Sequence, residues 1–209
     1  MNCRFCNHEL KSEFVDLGFA PPSNSFLSKE DMKNDEMHHP LKVYVCDSCF
    51  LVQLDEFKKA TDIFSDEYVY FSSMSSGWLK HAKEYTEKMK NEFGINENSL
   101  VIEIASNDGY LLQYFKEKNV PIIGIEPTAS TAKVSREKGI ETIGDFFGEH
   151  LATKLATQGK KADLVLGNNV LAHVPDINDF IKGIKIVLKD DGIVTMEFPH
   201  LLQLVKHNQ

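Results

Sequence analysis

The stretch "VIEIASNDGYLL", Val101 to Leu112, followed by "IIGIEPT", Ile122 to Thr128, decides how this chain reads. An apolar run ends in Glu103, a short polar loop passes through Gly109 into a helical pattern, and a second apolar run ends in Glu126. Strand, loop, helix, strand and acid in that order form the front half of a Rossmann-type nucleotide site. A dinucleotide site needs several glycines in the loop, so that backbone amides approach a pyrophosphate at a helix N-terminus. Here Gly109 stands alone, and Ala105, Ser106, Asn107 and Asp108 fill the other positions. A loop bracketed by Glu103 and Asp108 repels a pyrophosphate and suits a positively charged ligand that carries an adenosine.

The alternation continues outward from this stretch. Strands are expected at Leu100–Ile104, Ile122–Glu126, Glu141–Ile143, Asp163–Leu166 and Ile193–Phe198, with helices near Gly109–Lys118, Ala129–Lys138, Phe147–Ala156 and Ile177–Leu188. Such a βαβ succession predicts a parallel α/β sheet with right-handed crossovers, and ligands at the carboxyl ends of its strands. The residues there form the candidate site. Glu126, with Pro127 behind it, is placed to accept ribose hydroxyls. Asp145 follows the third strand and can accept from an adenine amino group, while Phe146 can stack on the ring. Asn168 and Asn169 present amides after the fourth strand, and His173 is a candidate acid–base group. Glu197, Pro199 and His200 close the last strand on the same crevice. S-adenosylmethionine is the ligand that this combination of acids and adenosine-recognition groups suits.

All four cysteines of the chain fall into two pairs, Cys3/Cys6 and Cys46/Cys49, each with metal-ligand spacing. Two such knuckles supply four thiolates that close a tetrahedron around a structural zinc and leave no open position for catalysis. His8, His38 and His39 are the possible substitutes for one thiolate. A redox dithiol and plain buried cysteines are the competing readings; no strand precedes Cys3 to support a thioredoxin-like unit. "LKVYVC" from Leu41 and "FLVQL" from Phe50 read as a hairpin on the second knuckle, and Pro21 and Pro22 open an irregular excursion between the pairs.

Between the two regions lies "TDIFSDEYVYFSSMSS", Thr61 to Ser76, rich in aromatics and hydroxyls. Tyr68, Tyr70, Ser72 and Ser73 suit a lid over a bound ligand, or equally a linker packing its rings on the core. Trp78, Ala82, Tyr85, Met89 and Phe93 then recur at helical spacing and end near Gly94, which predicts a core-facing helix. The expected domains are a zinc-binding domain at 1–60, a lid segment and connecting helix at 61–94, and a Rossmann-like domain at 95–209.

Composition narrows the function classes. The chain has 209 residues, 42% of them hydrophobic, enough for a sizeable core, and a net charge of −8. An acidic chain without a clustered basic face is a poor nucleic-acid binder. No apolar run approaches the ~20 residues of a membrane span, and "MNCRFCNHEL" is too polar for a secretory signal, so the cytoplasm is the expected compartment.

At "EIASNDGYLL", "GIEP", "NNVLAHVPD" and "EFPHLL", together with the cysteine pairs, the chain resembles the sugar C-methyltransferases. These are S-adenosylmethionine enzymes that methylate a ring carbon of keto nucleotide-sugars in deoxysugar biosynthesis. The resemblance implies Glu126 as the ribose acid, the Ala105–Gly109 loop under the methionine moiety, Asp145 and Phe146 at the adenine, Tyr70 and Ser72 closing over the cofactor, and His173 near the sugar. It also implies a reaction through an enolate next to the carbonyl and a nucleotide-linked sugar as partner. Family members carry roughly as much chain again, with a completed sheet and a Tyr/His/Glu-containing motif, so an N-terminal fragment is expected here. Alternatives are an NAD-type oxidoreductase, which the single loop glycine disfavours, and a non-catalytic zinc and Rossmann scaffold. The oligomeric state stays open.

Overall fold

A computed structural model describes residues 1–64 and 68–208. Ser65, Asp66 and Glu67 of the expected lid segment lie outside the described residues. The chain divides into two compact units, Met1–Tyr70 with Pro175–Asn178, and Phe71–Val174 with Asp179–Gln209.

In the N-terminal unit, β1 (Ser12–Ala20), β2 (His39–Val45) and β3 (Val52–Leu54) form an antiparallel sheet in that order. The hairpin expected around the second knuckle is β2 and β3, with Tyr44 opposite Gln53. β1 was not foreseen. Its residues are almost all exposed or half-exposed and its pairing with β2 slips twice, between Glu13 and Val15 and between Asp16 and Phe19. An edge strand that buries no continuous face has no hydrophobic alternation to betray it. A short helix, α1 (Ala60–Ile63), follows.

The second unit begins with a 3₁₀ turn at Ser72–Met74 and the long helix α2 (Ser76–Phe93). Ser75 caps it, its side chain accepting from the Trp78 amide at 3.2 Å, and Gly94 ends it in the left-handed conformation at φ 66°. Ala82 and Met89 are buried as the helical spacing predicts, whereas Phe93, one turn further, is exposed.

Five strands follow: β4 (Val101–Ile104), β5 (Ile122–Ile125), β6 (Thr142–Ile143), β7 (Ala162–Asn168) and β8 (Leu188–Glu197). They pair in parallel in the order β6-β5-β4-β7-β8, which places the topological switch between β4 and β7. The helices between them are α3 (Leu112–Glu117), α4 (Ala129–Glu137), α5 (Glu149–Thr157) and α6 (Ile177–Val187), close to the expected positions. β8 starts earlier than its apolar run suggests, at Leu188, because the polar "KDDG" segment bulges out between the pairs Ala162–Leu188 and Leu164–Ile193. A final helix, α7 (Leu201–His207), was not anticipated.

The sheet splits the core in two. Val101, Leu164 and Leu166 face Ala82, Met89, Leu111 and Phe115, while Ile102, Ile104, Ile123 and Val165 face Leu151, Leu155, Phe180 and Ile184. Alternation along β4 therefore sends Val101 and Glu103 toward α2 and α3, and Ile102 and Ile104 toward α5 and α6. Phe115 and Phe180 anchor the two halves, each worth about 1.5–3 kcal/mol of transfer free energy. At the second face, α5 and α6 close in because both contact points are glycine; a Cβ on Gly183 would lie 2.8 Å from the Gly148 carbonyl carbon.

Candidate functional site

β4 ends at Ile104 and the chain turns through Ala105 (φ 57°), Asn107 (φ 49°) and Gly109 (φ 75°), alternating left-handed residues with ordinary ones. Such alternation makes a small concavity of amides that attracts an anion. The protein fills it itself. Glu126, buried at the end of β5, accepts the Asn107 amide on Oε2 at 2.9 Å and the Thr128 amide on Oε1 at 2.9 Å. Each oxygen keeps a further lone pair.

The role of Gly109 differs from that of a phosphate-loop glycine. A Cβ there would meet Ile140 Cδ1 at 2.5 Å and Ser135 Oγ at 2.9 Å, so the residue lets the loop settle on α4 and the chain entering β6. Gly124 does the same for Ser106, whose Oγ would stand 2.5 Å from a Cβ at that position.

The first turn of the second unit covers this loop. The Ser72 amide donates to Asn107 Oδ1 at 2.9 Å, and the Ser73 hydroxyl donates to Asp108 Oδ2 in a short hydrogen bond. Lys138, just past α4, donates to the Asp108 main-chain oxygen at 2.7 Å and pairs with Oδ2 at 3.4 Å. Tyr110 is buried in the turn into α3, its ring stacked on Trp78 with centroids 5.9 Å apart, and its hydroxyl accepts from Asn168 Nδ2 at 3.1 Å. Asn168 at the end of β7 is thus joined to the loop after β4, across the switch point. Tyr110, Thr128 and Lys138 were not foreseen as parts of the site; only the place of Thr128 before α4, where a capping residue is favoured, hinted at it.

Five buried side-chain oxygens have no hydrogen-bond partner among the described residues: both of Glu103, Ser106 Oγ, Asp108 Oδ1 and Thr128 Oγ1. All lie on the loop after β4 or at the ends of β4 and β5. Buried polar atoms are satisfied almost everywhere in proteins, and leaving one unpaired costs about 1–3 kcal/mol, so such a concentration marks a place for a ligand. Glu103 is fully buried. Burial, and then the charges of Glu126 and Asp108, hold its pKa well above the usual carboxylate value.

Other expected residues are more open. Asp145 and Phe146 are exposed after β6, the Asp145 carboxylate accepting the Phe146 amide at 2.8 Å. Asn169 is exposed in the left-handed conformation, its amide donating to Glu197 O at 2.7 Å. His173 ends a 3₁₀ turn, Leu171–His173, and desolvation holds its pKa below 6.5, which keeps the ring neutral at pH 7. Glu197 pairs with His81 Nε2 at 2.7 Å. Tyr70 belongs to the N-terminal unit, where its ring is half-exposed.

In the N-terminal unit the two knuckles repeat one hydrogen-bond pattern. Asn7 donates to Cys3 O and Phe50 to Cys46 O, both at 2.9 Å, and both donors have φ near +60°, at 61° and 62°. The four sulfurs lie within 4.8 Å of one another, with Cys3–Cys49 and Cys6–Cys46 at 3.6 Å. A tetrahedron with Zn–S distances of ~2.3 Å has S–S edges of about 3.8 Å, so the cluster fits zinc. His8, His38 and His39 are not among the converging ligands. Gln53, buried on β3, donates to Cys3 Sγ at 3.2 Å and accepts the Arg4 amide at 3.0 Å, the outer contact expected around a structural metal. Burial raises the Cys3 thiol pKa, but the Cys6 amide, Gln53 and the Phe5 amide outweigh it and bring it down to about 6.

Comparison with known proteins follows the same division. A family described as a zinc binding domain matches residues 3–64, and one described as a methyltransferase domain matches 102–194. The chain is 31% identical to C-methyltransferase NovU of Streptomyces niveus over 99% of its own length and 49% of that protein, so it spans about half the length of this relative. A solved protein from Pyrococcus horikoshii OT3 superimposes with a TM-score of 0.54 at 20% identity, over 73% of this chain and 71% of that one. An S-adenosyl-L-methionine-dependent methyltransferase from Methanococcus maripaludis does so with a TM-score of 0.51 at 16% identity, over 68% and 66%. Both share the α/β fold.

Proposed function

We propose that the chain is an S-adenosylmethionine-dependent methyltransferase with a zinc-binding domain ahead of its methyltransferase domain, and that it serves carbon methylation of a keto nucleotide-sugar. The observation that carries the cofactor assignment is the set of five unpartnered buried oxygens around one loop. All five can accept a hydrogen bond, three of them belong to acids, and they suit a ligand that brings positive charge and hydroxyl or amino donors. S-adenosylmethionine, when bound, supplies an electrophilic methyl group on a cationic sulfur.

The chain's own residues divide the work. Glu103 and Asp108 offer negative charge at the loop Ala105–Gly109, and Ser106 and Thr128 add hydroxyls. Glu126 uses its remaining lone pairs on ribose hydroxyls, with Pro127 shaping the turn behind it. Asp145 and Phe146 receive the adenine, Asn168 and Asn169 line the crevice at the end of β7, and Ser72 closes over it. His173, neutral and able to accept, takes the proton next to the substrate carbonyl, leaving an enolate whose carbon accepts the methyl. Positioning and stabilisation of the enolate charge supply most of the catalysis. The carbon acceptor is supported by the likeness to C-methyltransferase NovU. Cys3, Cys6, Cys46 and Cys49 hold zinc structurally, and thiolate ligands suit the reducing cytoplasm. In functional terms the chain divides into a zinc domain at 1–60, a lid and helix at 61–94 and the cofactor domain at 95–209.

Two measurements test this reading. Calorimetry with S-adenosylhomocysteine should give one site per chain; no heat with either adenosyl ligand would leave only a scaffold. Incubation with methyl-labelled S-adenosylmethionine and a keto nucleotide-sugar should place label on a ring carbon. His173→Asn should lower that turnover at least tenfold with unchanged affinity for S-adenosylhomocysteine.

A further inference from the structure

Glu103 is a carboxylic acid whose surroundings disfavour a negative charge. Its side chain is fully buried and neither oxygen has a hydrogen-bond partner among the described residues. The groups that act on it come from every neighbouring element: Asp108 from the loop, Glu126 from the end of β5, Tyr110 from the turn into α3 and Tyr85 from α2. Glu197, at the end of β8, acts in turn on both tyrosines. Two of the close neighbours are acids. Lys138, a nearby cation, is spent on Asp108, and the Tyr110 hydroxyl and the Leu112 amide only temper the repulsion. Three carboxyl groups at one loop cannot all ionise at ordinary cost when one of them lies in a dry, low-dielectric position.

We infer that Glu103 is protonated in the ligand-free protein and gives up its proton when the positively charged end of a ligand enters the loop. The O–H bond of the acid breaks, the electron pair stays on the carboxylate, and the proton leaves to solvent, so that the site exchanges one cation for another. This rests on the cofactor reading above and adds a specificity device to it. A cation is rewarded with a full counter-charge at Glu103, whereas a neutral adenosyl compound meets an uncharged acid. Affinity for the cationic ligand therefore rises with pH, up to about tenfold per unit while the acid of the free protein remains protonated.

Calorimetry on the whole chain at pH 7 decides it, with S-adenosylhomocysteine, whose amino group is charged, as the probe in phosphate and in Tris. Unequal enthalpies in the two buffers, corresponding to release of up to one proton per ligand, are expected of the wild type. Glu103→Gln, which keeps the shape and the neutrality of the protonated acid, should show equal enthalpies. A second reading needs no variant: the wild-type dissociation constant should fall as pH rises from about 6 to 8. Equal wild-type enthalpies, a pH-independent dissociation constant, or undiminished proton release in Glu103→Gln would each overturn the inference while leaving cofactor binding intact. Absence of any binding by the wild type would instead remove the cofactor reading itself, and this inference with it.

Discussion

Lys138 Nζ lies 2.7 Å from the main-chain oxygen of Asp108 and 3.4 Å from its Oδ2, so one ammonium grips the loop by its backbone and by its charge together. Asp108 is buried while Lys138 is about one-third exposed, which places the pair between a surface ion pair and an interior one. Lys138→Met removes both contacts and leaves a buried acid facing Glu103. It should cost about 1–2 kcal/mol of stability and weaken S-adenosylhomocysteine binding several-fold, read by urea unfolding and calorimetry. Lys138→Arg should recover part of each.

Gly109→Ala tests why the loop keeps its one glycine. The left-handed backbone and the clash with Ile140 and Ser135 act together. A Cβ at positive φ costs about 1–2 kcal/mol and overpacking a further ~1–3 kcal/mol. Trimming one neighbour in the double variant Gly109→Ala, Ile140→Ala should relieve the Ile140 share of the clash and leave the backbone cost and the Ser135 contact, measured as less destabilisation than the sum of the two single variants in a double-mutant cycle.

The buried acid predicts the slope of stability against pH. The folded pKa of Glu103 is raised above 4.5, chiefly by burial and secondly by Glu126, so the folded state holds its proton more tightly than the unfolded chain. Its contribution is therefore full below about pH 4.5 and is lost as pH climbs toward the folded pKa. Glu103→Gln cannot lose it. The ligand-free variant should gain on the wild type by up to ~1.4 kcal/mol per pH unit across that window, measured by denaturant unfolding at a series of pH values.

The four-cysteine cluster predicts one zinc per chain, measured by atomic absorption. Cys46→Ser, or a strong chelator, should remove it. Amide protection along β2 should then collapse, because structural zinc supplies folding free energy outright. Protection along β4, whose cores lie elsewhere, should stay within about threefold in the same hydrogen-exchange experiment.

Much of this site could be read along the chain because its residues sit at strand ends. Glu103, Glu126 and Asn168 each close an apolar run, and the sheet order then brings those ends together at the switch between β4 and β7. The cysteine pairs were legible for another reason: close spacing within each pair limits what they can hold. Contacts that depend on tertiary approach were not. Lys138 reads as a solvated charge at the end of a helix, and Tyr110 as one more apolar position in the turn to α3, until the folded loop places them on Asp108 and Asn168. β1 escaped notice because its side chains face outward on an edge, where no core imposes a pattern.

Glu126 carries the last point. By accepting from Asn107 with one oxygen and from Thr128 with the other, it rivets the turn after β4 to the turn after β5. Neither turn can rearrange alone without breaking a bond inside the protein. A molecule long enough to touch both is therefore recognised as a whole, and its two ends, offered separately, would each inherit a framework that the other had already stiffened.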